Sequence, residues 1–210
     1  MKKRSIIKLS AFCLLFVMIF GFCFIACSQK KPVKISEISF DELSKSIEIG
    51  KYTGCSIKML DDGKEASILS YLDSQVKIKS YPDGAVEYYL EQLKKQYQYY
   101  ADQAGMSYED MLKELGEDSV TMKAKAEKLV KQDMIFSYIQ RKENITLSDE
   151  EKSKYFDRYV AKYSEAYNYA ESYVREKLSE LVYESMLYDK TLEYLILNNT
   201  FEDGVAADLS

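Results

Sequence analysis

The chain has 210 residues, 47% hydrophobic and 30% charged, with no His, no Trp, two Pro and a formal charge of −5. Nineteen Tyr and nine Phe exclude disorder throughout, and eight Gly with four Cys exclude collagen-like and disulfide-scaffold classes. The absence of His removes the commonest general base and metal ligand. The four basic residues of 1–26, unaccompanied by any acid, leave the rest of the chain at −9, a poor match for nucleic-acid phosphates.

Met1 to Lys8 is a basic start, and Leu9 to Ala26 is an apolar run of eighteen residues broken only by Ser10 and Gly21. That order is the pattern of a secretory signal. The run ends Phe24-Ile25-Ala26-Cys27 and is followed by Ser28-Gln29-Lys30-Lys31-Pro32, which resembles a bacterial lipobox. In a lipobox a small residue precedes a Cys that is diacylated before cleavage, so Cys27 is the expected lipid-attachment residue. Phe24 departs from the usual Leu three positions before the Cys. An uncleaved signal anchor and a plain cleaved signal are the alternatives. All three put the body outside the cytoplasm, and lipidation puts it on the extracytoplasmic face of the cell membrane. Cys55 is the one thiol left in the body, expected to be buried or a reactive leftover.

The expected division is a signal peptide at 1–26, a lipidated tether at 27–36 and a small mixed linker segment at 37–80. A helical domain at 81–202 and a flexible tail at 203–210 follow, with fraying from Thr200. In the mixed segment Glu48–Leu60 alternates weakly and Gln75–Lys79 alternates cleanly, which reads as one or two short strands. From Tyr81 onward helix signals dominate. Asp83 caps a first helix, with Val86, Leu90, Leu93, Tyr97, Tyr100 and Ala104 on one face and Gly105 at its end. Ser107–Glu109–Asp110 opens a short second helix that Gly116 stops. A third spans about Ser119 to Lys142, with Asn144 in a left-handed position after it. Ser148–Glu151 is a capping box for a fourth, with Tyr155, Phe156, Tyr159, Val160 and Tyr163 inward. A fifth covers about Glu165 to Asn198. Five helices with short caps between them predict an all-α architecture with arms.

The stretch Tyr99-Tyr-Ala-Asp-Gln-Ala-Gly-Met-Ser-Tyr-Glu-Asp-Met-Leu-Lys-Glu-Leu-Gly116 resembles the C-terminal domain of trigger factor. Helix, Gly-Met-Ser, short acidic-led helix and long helix follow in that family's order. Asn144–Glu151 resembles its turn into the next helix, Leu187–Phe201 its closing helix, and Glu48–Gly54 a Gly-x-Tyr-x-Gly segment of exported trigger-factor-like proteins. The resemblance covers residues 81–202 well and 37–60 loosely. It implies an extended multi-helix arm domain that cradles unfolded chains. Nothing matches that family's basic ribosome-binding loop. Only about 25 residues separate Leu60 from Ala85, too few for its FK506-binding-type isomerase half-barrel.

Seventeen of the 19 Tyr lie in 81–210. A Tyr offers a large ring for contact and a hydroxyl that tolerates water. Such residues at helical spacing are more often plain core, so those off the apolar stripes are the candidate polypeptide-binding set: Tyr88, Tyr99, Tyr108, Tyr167 and Tyr183. The acid clusters Glu109-Asp110 and Asp149-Glu150-Glu151 sit at expected helix starts, where the dipole favours them. There is no calcium loop, phosphate loop or nucleophile elbow. The sequence therefore calls for no catalysis, metal, nucleotide or cofactor. The expected function is a lipid-anchored extracytoplasmic chaperone-like protein whose partners are unfolded or exported polypeptides. The alternative is a non-catalytic, membrane-tethered module docking one folded partner. A peptidyl-prolyl isomerase is a third reading, and the missing domain argues against it.

Overall fold

A computed structural model describes residues 31–167 and 169–202; the signal segment, Cys27 and the tail from 203 lie outside them. A 3-10 turn at Ile35–Glu37 precedes α1 (Phe40–Ser46), β1 (Ile47–Ile49), β2 (Ser56–Lys58), α2 (Lys64–Gln75) and β3 (Val76–Ile78). The helical part comprises α3 (Ala85–Ala104), α4 (Tyr108–Leu115), α5 (Ser119–Lys142), α6 (Asp149–Tyr167), α7 (Glu171–Lys177) and α8 (Ser179–Leu197), with β4 (Thr200–Glu202) closing the chain. The fold is all-α in class, as the sequence implies, with four short strands among the described residues.

Local chemistry sets several helix ends. Ser107 accepts from Asp110 N, and Asp118 with Thr121 forms a reciprocal capping box. Ser148 and Glu151 form another, with N–H to oxygen distances of 2.8 and 3.1 Å. Gly105 and Gly116 end α3 and α4 in left-handed conformations, and Asn144, at φ 53°, follows α5.

Three apolar clusters organise these elements. The central one joins α5 from its midpoint onward (Val130, Met134, Ile139) and the end of α8 (Leu192, Leu195) to Ile35, Leu43, Ile47, Ile57, Ile68 and Leu72. One arm packs α3 and α4 on the N-terminal half of α5 through Leu93, Tyr97, Met122 and Ala126. The other packs α6 and α7 on the first half of α8 through Val160, Val174, Leu178 and Val182.

Four expectations are corrected. Residues 37–80 are not a linker but supply much of the central core, and α2 is a twelve-residue helix in a stretch read for strands alone. The tether ends sooner than Ser36, because Ile35 is fully buried. The single helix expected over 165–198 is divided: the backbone is extended at Ala170 (ψ 135°) and breaks again at Leu178 (φ −120°, ψ 12°). Turning there folds α7 back on α6, where Arg175 reaches Asp157 at 2.6 Å and Val174 and Leu178 are buried. Thr200–Glu202 does not fray. It pairs in parallel with β2, Ile57 opposite Phe201, while Asn199 bonds the backbone of Tyr52, Cys55 and Leu195. The antiparallel pair β1–β3, Ile47 opposite Ile78, realises the Gln75–Lys79 alternation.

The segment from Val33 to Ile38 lies across the helices as a strap. Arg141 of α5 donates to the carbonyls of Ile38, Ser36 and Ile35 at 2.5, 3.1 and 3.2 Å. Val33 N donates to Gly84 O at 3.1 Å, and Lys34 pairs with Glu184. Gly84 has φ +82°, and a Cβ there would sit 2.0 Å from Lys31 O, so the strap's approach requires glycine. Arg141→Met leaves three carbonyls without their fork. It is expected to lower the unfolding free energy by about 1–3 kcal/mol, read as a lower urea midpoint, with Arg141→Lys restoring only part.

Candidate polypeptide-binding groove

Helices α6 and α8 bound an open groove of about 790 Å³, to whose lining Glu65 of α2 also belongs. That volume lies within the range of about 300–1,000 Å³ found for ligand clefts. Leu147, Met186, Leu192 and Ile196 supply apolar lining, and Leu197 stands at the edge with 76% of its surface exposed. Tyr155 and Tyr159 face it from α6. The spacing of both helices accounts for this: α6 turns Tyr155 and Tyr159 to one side, and α8 turns Leu192 and Ile196 to meet them.

The rim carries both signs of charge and is held by pairs between helices. Lys190 donates to Glu151 and to Thr146 O at 2.6 and 2.7 Å. Tyr159 donates to Asp189 at 2.6 Å, and Lys162 lies 3.7 Å from the same carboxylate. Arg158 sits over the rings of Tyr155 and Tyr159 at 5.0 and 5.6 Å. The Lys190 hydrogen bond, then the Ser148 backbone N–H, holds the Glu151 carboxyl down to about 2. Burial, then the bond to Asp189, pushes the Tyr159 phenol up. The floor therefore attracts apolar groups, while the edge offers donors and acceptors in fixed places.

Tyr88, Tyr99, Tyr108 and Tyr183, four of the five tyrosines singled out in the sequence, do not line this groove. Tyr88 is half-buried in a separate cleft between α3, α5 and α8. Tyr99, also half-buried, has its ring 6.0 Å from Tyr100 and 6.2 Å from Tyr169. Tyr108 packs on the α3–α5 arm. Tyr183 lies 5.2 Å from Phe156, with Lys152 Nζ 5.8 Å from its ring. Tyr167 ends α6, and its side chain lies outside the described residues. A helical wheel makes these residues look outward because it gives each helix one packed face. Here α3 packs on α4 and α5, and α8 touches α2, α5, α6 and α7, so second faces are occupied too. The groove residues Tyr155, Tyr159, Leu192 and Ile196 read as core in the sequence. Leu197 is the one signal available: it widens the apolar content at the end of α8 beyond what a single stripe needs.

The described part of the chain thus comprises a central core, two helical arms and a groove lined by both apolar and charged side chains. Residues 58–197, from the last residue of β2 to the end of α8, match the family described as Bacterial trigger factor protein (TF) C-terminus. The chain belongs to this family. It is also similar to the trigger factor of Bacillus subtilis (strain 168), at 26% identity over 191 residues, covering 79% of this chain and 44% of that protein. The chain thus spans less than half the length of that relative. No solved structure matches. The trigger-factor C-terminal match includes α2 as well as both arms, which agrees with α2 packing on α8.

The Glu151 bonds link this arm's stability to pH. A carboxyl held low in the folded state contributes fully above its unfolded value near 4.5 and loses that contribution as pH falls toward about 2. The urea midpoint is expected to fall through that window, and Lys190→Met is expected to flatten the slope.

Proposed function

We propose that this protein is a chaperone-like holder of unfolded polypeptides, acting by transient apolar contact in the α6–α8 groove. The observation that carries the reading is the apolar floor and two-signed rim of that groove, on an arm of a trigger-factor C-terminal domain. An unfolded chain presents short apolar runs flanked by polar and charged residues, and a groove of this kind takes them with little sequence preference. Release needs no nucleotide, because burying a few apolar side chains gives only modest affinity. Tyr88, Tyr99, Tyr108 and Tyr183 are proposed as secondary contacts on the arms, through whatever ring edge each leaves free. No step in this reading is catalytic.

We also propose that Cys27 carries the lipid that holds the body at the extracytoplasmic face of the cell membrane. The support is the basic start, the apolar run and the Ala26-Cys27 junction. Among the described residues no helix is long and apolar enough to cross a membrane. Cells expressing the chain are expected to incorporate labelled palmitate into it, and Cys27→Ala is expected to abolish the label; incorporation that survives the substitution rules this attachment out.

The groove is tested with the full chain in lipid nanodiscs, added at rising ratios to two unrelated unfolding proteins while light scattering follows aggregation. Suppression of both is expected. Leu197→Asp, a change at an exposed site, is expected to weaken it several-fold with circular dichroism unchanged. Suppression of neither by folded wild-type protein would overturn the holdase reading in favour of one dedicated partner, sought by crosslinking at the membrane.

A further inference from the structure

Where α3, α5 and α8 converge beneath the strap lies a second cleft, of about 140 Å³, with no residue in common with the groove. Its size is close to that of engineered cavities of about 150 Å³ that take benzene. Tyr88, Tyr89, Phe136 and Tyr188 give it aromatic walls, the last two rings stacked at 4.2 Å. Asp133 and Glu184 also line it, and Lys34 is the single cationic residue among its lining.

The polar groups are unequally satisfied. Glu184 is paired with Lys34. Asp133 accepts from Tyr89 at 2.5 Å and weakly from Ser137 at 3.4 Å, which leaves lone pairs of its carboxylate unused. Gln92, also part of the lining, is only 3% exposed, and its Oε1 is buried with no hydrogen-bond partner. Buried acceptors are ordinarily satisfied, and one left open at the wall of a cleft marks where a donor is missing.

We propose that this cleft is a binding site for a small organic cation, an ammonium or guanidinium group on a short apolar stem. Gln92 Oε1 and the Asp133 carboxylate accept its N–H donors, and the stem lies against the aromatic walls. Three independent features select a cation over a neutral donor. Carboxylates outnumber ammonium groups in the lining, the open valences are acceptors, and aromatic faces attract positive charge. Water would satisfy Gln92 but would leave the apolar and aromatic walls without a partner. Burial pushes the Asp133 carboxyl above the usual range, and a bound cation offsets that penalty. The site does not depend on the polypeptide-binding reading. Its cation can come from a free amine or from a Lys or Arg side chain of a bound chain.

The test titrates the full chain in nanodiscs with n-butylammonium and n-butylguanidinium chloride, and with n-butanol at matched ionic strength, by isothermal calorimetry. Saturable binding of the cations is expected, and none of the alcohol. Gln92→Leu removes the open acceptor without leaving another group unpaired, so the variant is expected to melt no lower than wild type while binding the cations at least tenfold more weakly. Asp133→Asn, which still accepts from Tyr89, is expected to weaken binding by a similar factor. Absence of saturable binding, equal binding of n-butanol, or wild-type affinity in Gln92→Leu would overturn the proposal. An unfolded polypeptide with free lysines that displaces n-butylammonium, when its acetylated form does not, assigns the cation to side chains. Displacement by neither form assigns it to free amines.

Discussion

Arg141 sits near the end of α5 and closes three hydrogen bonds on the strap that precedes every helix. Its planar fork spans three carbonyls of this curved run at once, two of them beyond the 3-10 bond that Ile38 N makes to Ile35 O, and a point-charge Lys could not meet all three. With the strap held, Ile35 is driven into the central core and Lys34 reaches Glu184 on α8. Residues far apart in sequence thereby fasten α3, α5 and α8 to one another. The orientation of both arms depends on that junction, since α5 runs into it from one arm and α8 from the other.

Helices α5 and α8 each serve two clusters along their length, and this division makes the architecture extended. A compact bundle would bury one stripe from end to end. Here the stripe changes partner midway, so each arm keeps a small core of its own and leaves a long flank beside it. The α6–α8 groove is such a flank, with the Lys190–Glu151 and Tyr159–Asp189 bonds joining α6 to α8 beside it.

The abundance of Tyr has a structural cause. Phenol hydroxyls bond carboxylates repeatedly: Tyr52 and Tyr194 to Glu143, Tyr89 to Asp133, Tyr159 to Asp189. Donation from Tyr52 and then Tyr194 holds the Glu143 carboxyl low, while burial pushes the phenols up. An acidic chain without His or Trp needs neutral donors for its half-buried carboxylates, and Tyr brings a donor together with apolar area. Every tyrosine whose side chain is described is at least half-buried. Residues that look like a solvent-facing contact set are in large part the mortar between helices.

The sequence by itself determined the helical class, the family resemblance and several helix ends. These depend on neighbours within four residues: Ser107, Asp118 and Ser148 at starts, and Gly105, Gly116 and Asn144 at stops, each act through local backbone geometry. The short strand at Val76–Ile78 was legible for the same reason. The breaks at Ala170 and Leu178 carry no Gly or Pro and arise from α7 folding back on α6, an event only tertiary packing rewards. Helix α2, the strap and the pairing of β4 with β2 likewise take their stability from partners up to about 150 residues away. The cation cleft belongs wholly to that second category, and the groove does except for the hint that Leu197 gives. A periodic sequence states that Tyr159, Leu192 or Gln92 lies on a helix face, but whether that face meets core, groove or cleft depends on which helices converge there. That convergence was decided in three dimensions, because burial rewards total contact and not proximity along the chain.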